Sequence, residues 1–373
     1  MTDDSRALDL AIARVVALRD LDEGAMAATS ARLDALTKPP GSLGRLESLA
    51  IQLAGITGDP AGTFERRAVV VAAADHGVVR QGVSAYPADV TPQMVANFLA
   101  GGAAINVLAE RAGASVTVVD AGVAGDISAV ATAAVGSAAT TLIRAPIRAG
   151  TDDMTAGPAM TRDEALRAIR VGLELAAALE SDGIKLVGIG EMGIGNTTAA
   201  SAITSVMTGL PPERVTGRGT GIDDATHARK IEMVTRAIAR NVPEPGDPIG
   251  VLAAVGGFEI GVLVGVIIGA AGARIPVILD GFITGAAALI AAGLAPAIEA
   301  RCVAGHRSVE PGHAVVLERL RLRPLLELDL RLGEGTGAAL AMSLIDAAIA
   351  IRDGMATFES AGVAGPAATE GVV

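Results

Sequence analysis

The sequence predicts an α/β protein: a doubly wound parallel sheet with helices on both faces, joined to a small helical domain built from the two chain ends. Three observations carry that prediction. Five short apolar runs each end in Asp, Gly or Glu, and helical patterns lie between them. Glycine supplies 46 of the 373 residues, well above the usual ~7%, which calls for tight turns or close backbone approaches to a ligand. Continuous Val/Ile/Leu runs followed by Gly and then a helical pattern mark parallel strands buried on both faces. Their alternation with helices makes the sheet doubly wound.

Residues 1–60 read as helices. ALDLAIARVVALRDL and LGRLESLAIQLAGIT place apolar residues at helical spacing, and between them Lys38-Pro39-Pro40-Gly41-Ser42-Leu43-Gly44 reads as a rigid loop. The expected strands are RAVVVAAAD (67–75), ASVTVVDAG (114–122), GIKLVGIG (183–190), RIPVILDG (274–281) and LELDLRLGEG (326–335). The helices between them include VANFLAGGAAINVLAERAGA, DEALRAIRVGLELAAALESDG and ARKIEMVTRAIARN. A long last helix, TGAALAMSLIDAAIAIRDGMATF, is expected to return onto the N-terminal helices. Residues 1–60 with 338–373 therefore form the expected small helical domain, and 61–337 the large α/β domain. The tail from Ala361 lacks periodicity and is expected to fray.

Composition excludes several function classes. The formal net charge is −11, with 19% charged and 2% aromatic residues. No basic patch and few stacking rings argue against a nucleic-acid partner. The single Cys302 excludes an intrachain disulfide framework and a cysteine-rich metal site, and reads as a small buried hydrophobe. The acidic N-terminus has no signal-peptide core, so a cytoplasmic protein is expected. The most apolar stretch, Pro248 to Ala273, is interrupted by Glu259 and leaves too short an uncharged run for the about 20 residues a spanning helix needs. Its Gly and Ala density fits helices packed closely in a core.

In such a sheet ligands bind beyond the carboxyl ends of the strands, and three glycine-rich segments belong there. Gly188-Ile-Gly190-Glu191-Met192-Gly193-Ile-Gly195-Asn196-Thr197-Thr198 lies between a strand and a small-residue helix. Its exposed N–H groups and the helix start suit a phosphate, although tight-turn glycines alone would look the same. Gly217-Arg218-Gly219-Thr220-Gly221 precedes Lys230 and reads as a second anion cradle, with a solvated surface lysine as the plainer reading. Gly333-Glu334-Gly335 offers a lone carboxylate, either a general base or a charge on the helix dipole. Asp75-His76 resembles half of a metal site, and His306 and His313 flank a loop, but neither pair has a third ligand. Ser84, Tyr86 and Gln93 come together after the first strand.

With KPPGSLGRLE, ADHGV, GVSAYP, VTPQM, GIGEMGIGNTTAA, GRGTGIDD, ILDGF, GHRSVEPGH and LRLGEGTGAAL in order from about residue 38 to 340, the chain resembles the nicotinate-nucleotide–dimethylbenzimidazole phosphoribosyltransferase family of cobalamin lower-ligand synthesis. The resemblance implies a homodimer with a Rossmann-like large domain and a small helical domain. It implies transfer of the phosphoribosyl group of nicotinate mononucleotide onto a nitrogen of 5,6-dimethylbenzimidazole, with no metal and no cofactor. Glu334 inherits the role of the base that takes the azole N–H proton. Glu191, Gly193, Gly195, Asn196, Gly217, Gly219 and Lys230 are carried over to the mononucleotide and its phosphate, and Ser84, Tyr86 and Gln93 to the benzimidazole.

Two rival classes remain at this point. Gly188-x-Gly190-x-x-Gly193 matches a dinucleotide fingerprint, as in an NAD-dependent oxidoreductase, but lacks the acidic residue about 20 positions on. A non-catalytic nucleotide- or azole-binding module would use the same glycine turns without releasing nicotinate.

Overall fold

The computed structural model describes residues 2–18, 20–127 and 140–364. Six strands form one parallel sheet: β1 (Arg67–Ala74), β2 (Ala114–Gly122), β3 (Thr140–Arg144), β4 (Leu186–Met192), β5 (Val277–Leu279) and β6 (Cys302–Ala304), in the order β3-β2-β1-β4-β5-β6. β1 shows why its sequence is apolar throughout. Ala68, Val70, Ala72 and Ala74 enter one hydrophobic core, while Val69, Val71 and Ala73 enter a second core on the opposite face. The strand order reverses between β1 and β4, and a crevice opens beyond their carboxyl ends at such a point.

The N-terminal helices are α1 (Asp3–Ala17), α2 (Glu23–Asp34) and α3 (Arg45–Thr57). They are followed by α4 (Val90–Leu99), α5 (Ala104–Arg111), α6 (Arg162–Ser181), α7 (Asn196–Thr208), α8 (Pro212–Val215), α9 (Asp224–Asn241) and α10 (Pro248–Val255). The remainder are α11 (Phe258–Gly272), α12 (Phe282–Leu294), α13 (Pro311–Arg319), α14 (Thr336–Gly354) and α15 (Phe358–Ala361). α6, α7, α11 and α12 supply residues to the first core, and α3, α4, α5 and α14 to the second. The N-terminal helices divide: α1 packs on α6 and α11, whereas α2 and α3 pack on each other and on α14.

The apolar stretch from Pro248 becomes α10 and α11, two core helices rather than a span. Among the described residues no helix is long and apolar enough to cross a membrane. α11 crosses α6 at backbone contact. A Cβ on Gly172 would lie 1.9 Å from the Val262 carbonyl oxygen, and one on Gly265 2.0 Å from that of Ile169. Only glycine permits this approach, so Gly265→Ala is expected to lower the melting temperature. Overpacking costs about 1–3 kcal/mol, with more where backbone must move. Thermal unfolding followed by circular dichroism checks this, and an unchanged melting temperature would contradict the crossing.

Two expectations about strands are corrected. The segment 326–335 is no strand: Leu326 makes a single parallel bridge to His306, and the residues beyond it form a loop. Its leucines alternate with Glu327, Asp329 and Arg331, which cannot be buried on both faces of a sheet. The last strand is instead the short buried β6. At the other edge, β3 was not expected, because TTLIR is polar and partly exposed, as suits a strand that pairs, among the described residues, with β2 alone. Residues 365–373 of the tail expected to fray lie outside the described residues.

Candidate active site

β4 delivers Glu191 to the crevice, and Gly193–Gly195 turns the chain into α7, whose first residue is Asn196. Gly195 caps this helix at φ +96°, a left-handed conformation open mainly to glycine. The expected fingerprint has a different local structure: Gly188 and Gly190 lie inside β4 rather than in the turn. Gly190 is needed for close approach. A Cβ there would lie 2.1 Å from the Gly335 nitrogen and 2.3 Å from the Glu334 carbonyl carbon. The turn that carries Glu334 therefore rests directly on the central strand.

One cleft is lined by Ser84, Gly193, Gly195, Asn196, Thr197, Arg218, Gly219 and Lys230. It joins the first and second glycine turns across the start of α7. Lys230 is buried, and its Nζ donates to Thr197 Oγ1 at 2.8 Å. Burial pulls its pKa down to about 8 against the attraction of Glu310. An ammonium held out of water beside the start of a helix is an arrangement that can receive an anion. The plain surface-lysine reading is thereby corrected. Gly217 sits beside this cleft against Glu310, and the Gly219 N–H is already donated to Glu310 Oε1 at 2.8 Å.

Carboxyl groups crowd the centre of the crevice. The Glu191 side chain accepts from Asn196 Nδ2 and lies against Gly333. Burial holds its pKa well above the ordinary carboxyl value, and Glu259, Asp280 and Glu334 push it in the same direction. The Glu334 N–H donates to the Glu191 carbonyl at 3.2 Å. Glu334 itself has φ +63°, a conformation that costs a non-glycine residue about 1–3 kcal/mol and gathers at functional sites. Its carboxyl is buried, Oε2 has no partner, and burial lifts its pKa to about 7 against a backbone hydrogen bond from Ile105. That combination suits a proton acceptor better than a helix-dipole charge, which would lie exposed and ionised.

Asp280, just past β5, holds the turn that carries Glu334. Its Oδ1 accepts the N–H groups of Gly337 at 2.6 Å and Ala338 at 3.3 Å, and Oδ2 that of Gly335 at 3.1 Å. His306 Nδ1 stands 3.5 Å from Oδ1. Burial outweighs these bonds and raises Asp280 to about 7. His306 and His313 are pushed down to about 4 and about 3 by burial, so both rings are neutral near pH 7. Opposite them, His76 Nε2 and Glu259 Oε1 meet at 2.6 Å, both buried. Burial works against the imidazolium, but Glu259 and Asp75 together hold the His76 pKa above its ordinary value. Asp75 Oδ2 accepts the Ala124 N–H at 2.8 Å. Among the described residues no group of three or more His, Cys, Asp or Glu is arranged to hold a metal ion.

The three residues expected around the azole do not share one place. Ser84 lines the cleft beside Asn196 and Lys230, and its Oγ accepts the Tyr86 N–H at 3.1 Å. Tyr86 is 50% exposed, and Gln93 is exposed on the first turn of α4. Neither lines the cleft. Glu259, Asp280 and Glu310 were not singled out in advance. The signal for Glu259 was present, as the one charge inside a long apolar stretch, and that for Asp280 was its place after a strand and before Gly281.

A phosphoribosyltransferase family model matches residues 18–363. The chain is 58% identical over 343 residues to the nicotinate-nucleotide–dimethylbenzimidazole phosphoribosyltransferase of Chloroflexus aggregans, spanning 92% of this chain and 95% of that protein. It is 55% identical over 343 residues to the enzyme of the same name from Desulforudis audaxviator, with the same shares covered. The crystal structure of the like-named enzyme from Thermus thermophilus superposes with a TM-score of 0.85 at 47% identity, covering 93% of this chain and 100% of that one. The chain belongs to the nicotinate-nucleotide–dimethylbenzimidazole phosphoribosyltransferase family.

Proposed function

We propose that this chain transfers the phosphoribosyl group of nicotinate mononucleotide to 5,6-dimethylbenzimidazole, giving α-ribazole 5′-phosphate and nicotinate for the nucleotide loop of cobalamin. The observation that carries the reading is one cleft holding Gly193, Gly195, Asn196, Gly219 and Lys230, with a buried Glu334 whose Oε2 has no hydrogen-bond partner on the adjoining turn.

In this reading Lys230 and the start of α7 take the phosphate, and Asn196 with Glu191 and the Gly217–Gly219 turn contact the rest of the mononucleotide. Ser84, Tyr86 and Gln93 are assigned to the benzimidazole, with Ser84 alone of the three lining the cleft. Glu334 accepts the azole N–H proton, and the electron pair so released makes the other ring nitrogen the nucleophile. That nitrogen attacks the anomeric carbon from the face opposite nicotinate. The glycosidic pair leaves with the pyridinium nitrogen, which becomes neutral, so nicotinate departs without an acid. Inversion gives the α-anomer.

The test is acceptor-dependent release of nicotinate, followed chromatographically. Release that needs dimethylbenzimidazole supports transfer, whereas mononucleotide binding without release would favour a binding module. Lys230→Ala is expected mainly to raise the mononucleotide KM. An unchanged KM with a lower kcat would contradict a phosphate contact made in the ground state.

We also propose a cytoplasmic homodimer, in which α2, α3 and α14 form a small helical unit beside the catalytic body, while α1 of the 1–60 segment packs on α6 and α11 of that body. The packing of α2 and α3 on α14 supports that unit. Light scattering on the purified chain measures the oligomeric state, and a monomer under assay conditions would rule out the dimer.

A further inference from the structure

Glu310 stands just before α13, 91 residues along the chain from the glycine turn it touches. It is buried, and its Oε1 accepts the Gly219 N–H at 2.8 Å. The other side of Gly219 is also held, since Arg331 Nη1 donates to its carbonyl at 3.4 Å. Glu310 Oε2 has no hydrogen-bond partner and packs against Gly217, where a Cβ would come within 2.2 Å of it. On its far side Gly219 borders Lys230: a Cβ there would lie 3.3 Å from Nζ and 3.0 Å from Thr197 Oγ1. A continuous contact path thus runs from Glu310 through the Gly219 peptide to the Lys230 ammonium and the first turn of α7.

A buried carboxylate is costly unless its surroundings require it. Here it fixes one peptide that forms a wall of the cleft. We infer that Glu310 is a positioning residue of the mononucleotide site, which holds Gly219, and through it the seat of Lys230, without touching substrate. The inference rests on reading this cleft as the mononucleotide site. Lowered solvation of Lys230, which Glu310 partly offsets by attraction, fits the same arrangement.

The experiment compares Glu310→Ala and Glu310→Gln in the full chain, with kcat and the KM of each substrate. Alanine removes the acceptor, and a lost hydrogen bond to a charged group corresponds to about a 10–100-fold rise in mononucleotide KM. The expected result is that rise, with kcat and the dimethylbenzimidazole KM near parental values. Glutamine keeps an amide oxygen for the Gly219 N–H and is expected to restore the mononucleotide KM to near the parental value. Should the alanine variant fail to fold, Glu310→Asp tests the same point, because a carboxylate one methylene shorter falls short of Gly219 and should raise the KM. A near-parental mononucleotide KM in the alanine or aspartate variant overturns the inference. So does a loss confined to kcat, or a glutamine variant as impaired as alanine. If the unsubstituted chain releases no nicotinate, the functional reading itself fails, an outcome distinct from normal turnover with a KM insensitive to Glu310.

Discussion

Replacing Glu334 by Gln is expected to lower kcat by about 10²–10⁴-fold, the range for loss of a general base, while leaving the mononucleotide KM near its parental value. Glutamine keeps the volume and the αL backbone demand but cannot take the azole proton. The pH dependence provides the sharper signature. Burial lifts the Glu334 carboxyl to about 7, and a base works only when ionised. Turnover by the parent should therefore fall as pH drops through about 7. Asp280 is also raised to about 7 and lies close enough to share the titration, so the apparent pKa of this acid limb belongs to the pair. In Glu334→Gln the limb should disappear along with the rate. A near-parental rate, or an unchanged acid limb in the variant, would remove Glu334 from the role of base.

The second large effect is steric. Gly190→Ala would place a methyl group 2.1 Å from the Gly335 nitrogen and 2.3 Å from the Glu334 carbonyl carbon. Backbone cannot yield as a side chain does, so the turn carrying Glu334 must move by about 1 Å or more. Misplacement of that size costs on the order of 10²-fold in rate. Gly188→Ala is the control on the same strand face. Its methyl group would meet Met342 Cε at 3.1 Å, the free end of a flexible side chain, and Ala338 Cβ at 3.2 Å, which requires the helix to give by only a few tenths of an ångström. Kinetics on both variants, with circular dichroism to establish folding, should show a large kcat loss for Gly190→Ala and a small one for Gly188→Ala. A folded Gly190→Ala variant with parental kcat would show that the turn does not rest on β4.

The sheet was legible in the sequence wherever a strand is buried on both faces. β1 and β2 read almost residue for residue, because each carries a run of Val and Ala buried on both faces. Legibility failed at the edges. Among the described residues β3 pairs with β2 alone and tolerates Thr and Arg, so it carries no apolar run to see. The 326–335 segment has alternating leucines, but one bridge at Leu326 is all the pairing it makes. In the site, the glycine turns and Glu334 were visible because each sits on one short stretch of chain. The partners that fix them were not, since they come from far along the sequence: Glu310 is 91 residues from Gly219, and Asp280 is 57 from Gly337. Nothing in local spacing pairs such residues. Tyr86 marks a different limit: a motif supplied its proposed role, yet its ring is half exposed and stands outside the cleft.

The most direct test of phosphoribosyl transfer is to identify and count both products in one reaction. Purified chain, nicotinate mononucleotide and 5,6-dimethylbenzimidazole are incubated together, and nicotinate and the ribosylated azole are quantified by chromatography, with NMR of the anomeric proton. One α-ribazole 5′-phosphate for each nicotinate released is the predicted result. Nicotinate released without the azole product, or a β-anomer, would contradict displacement of nicotinate by the azole at the anomeric carbon.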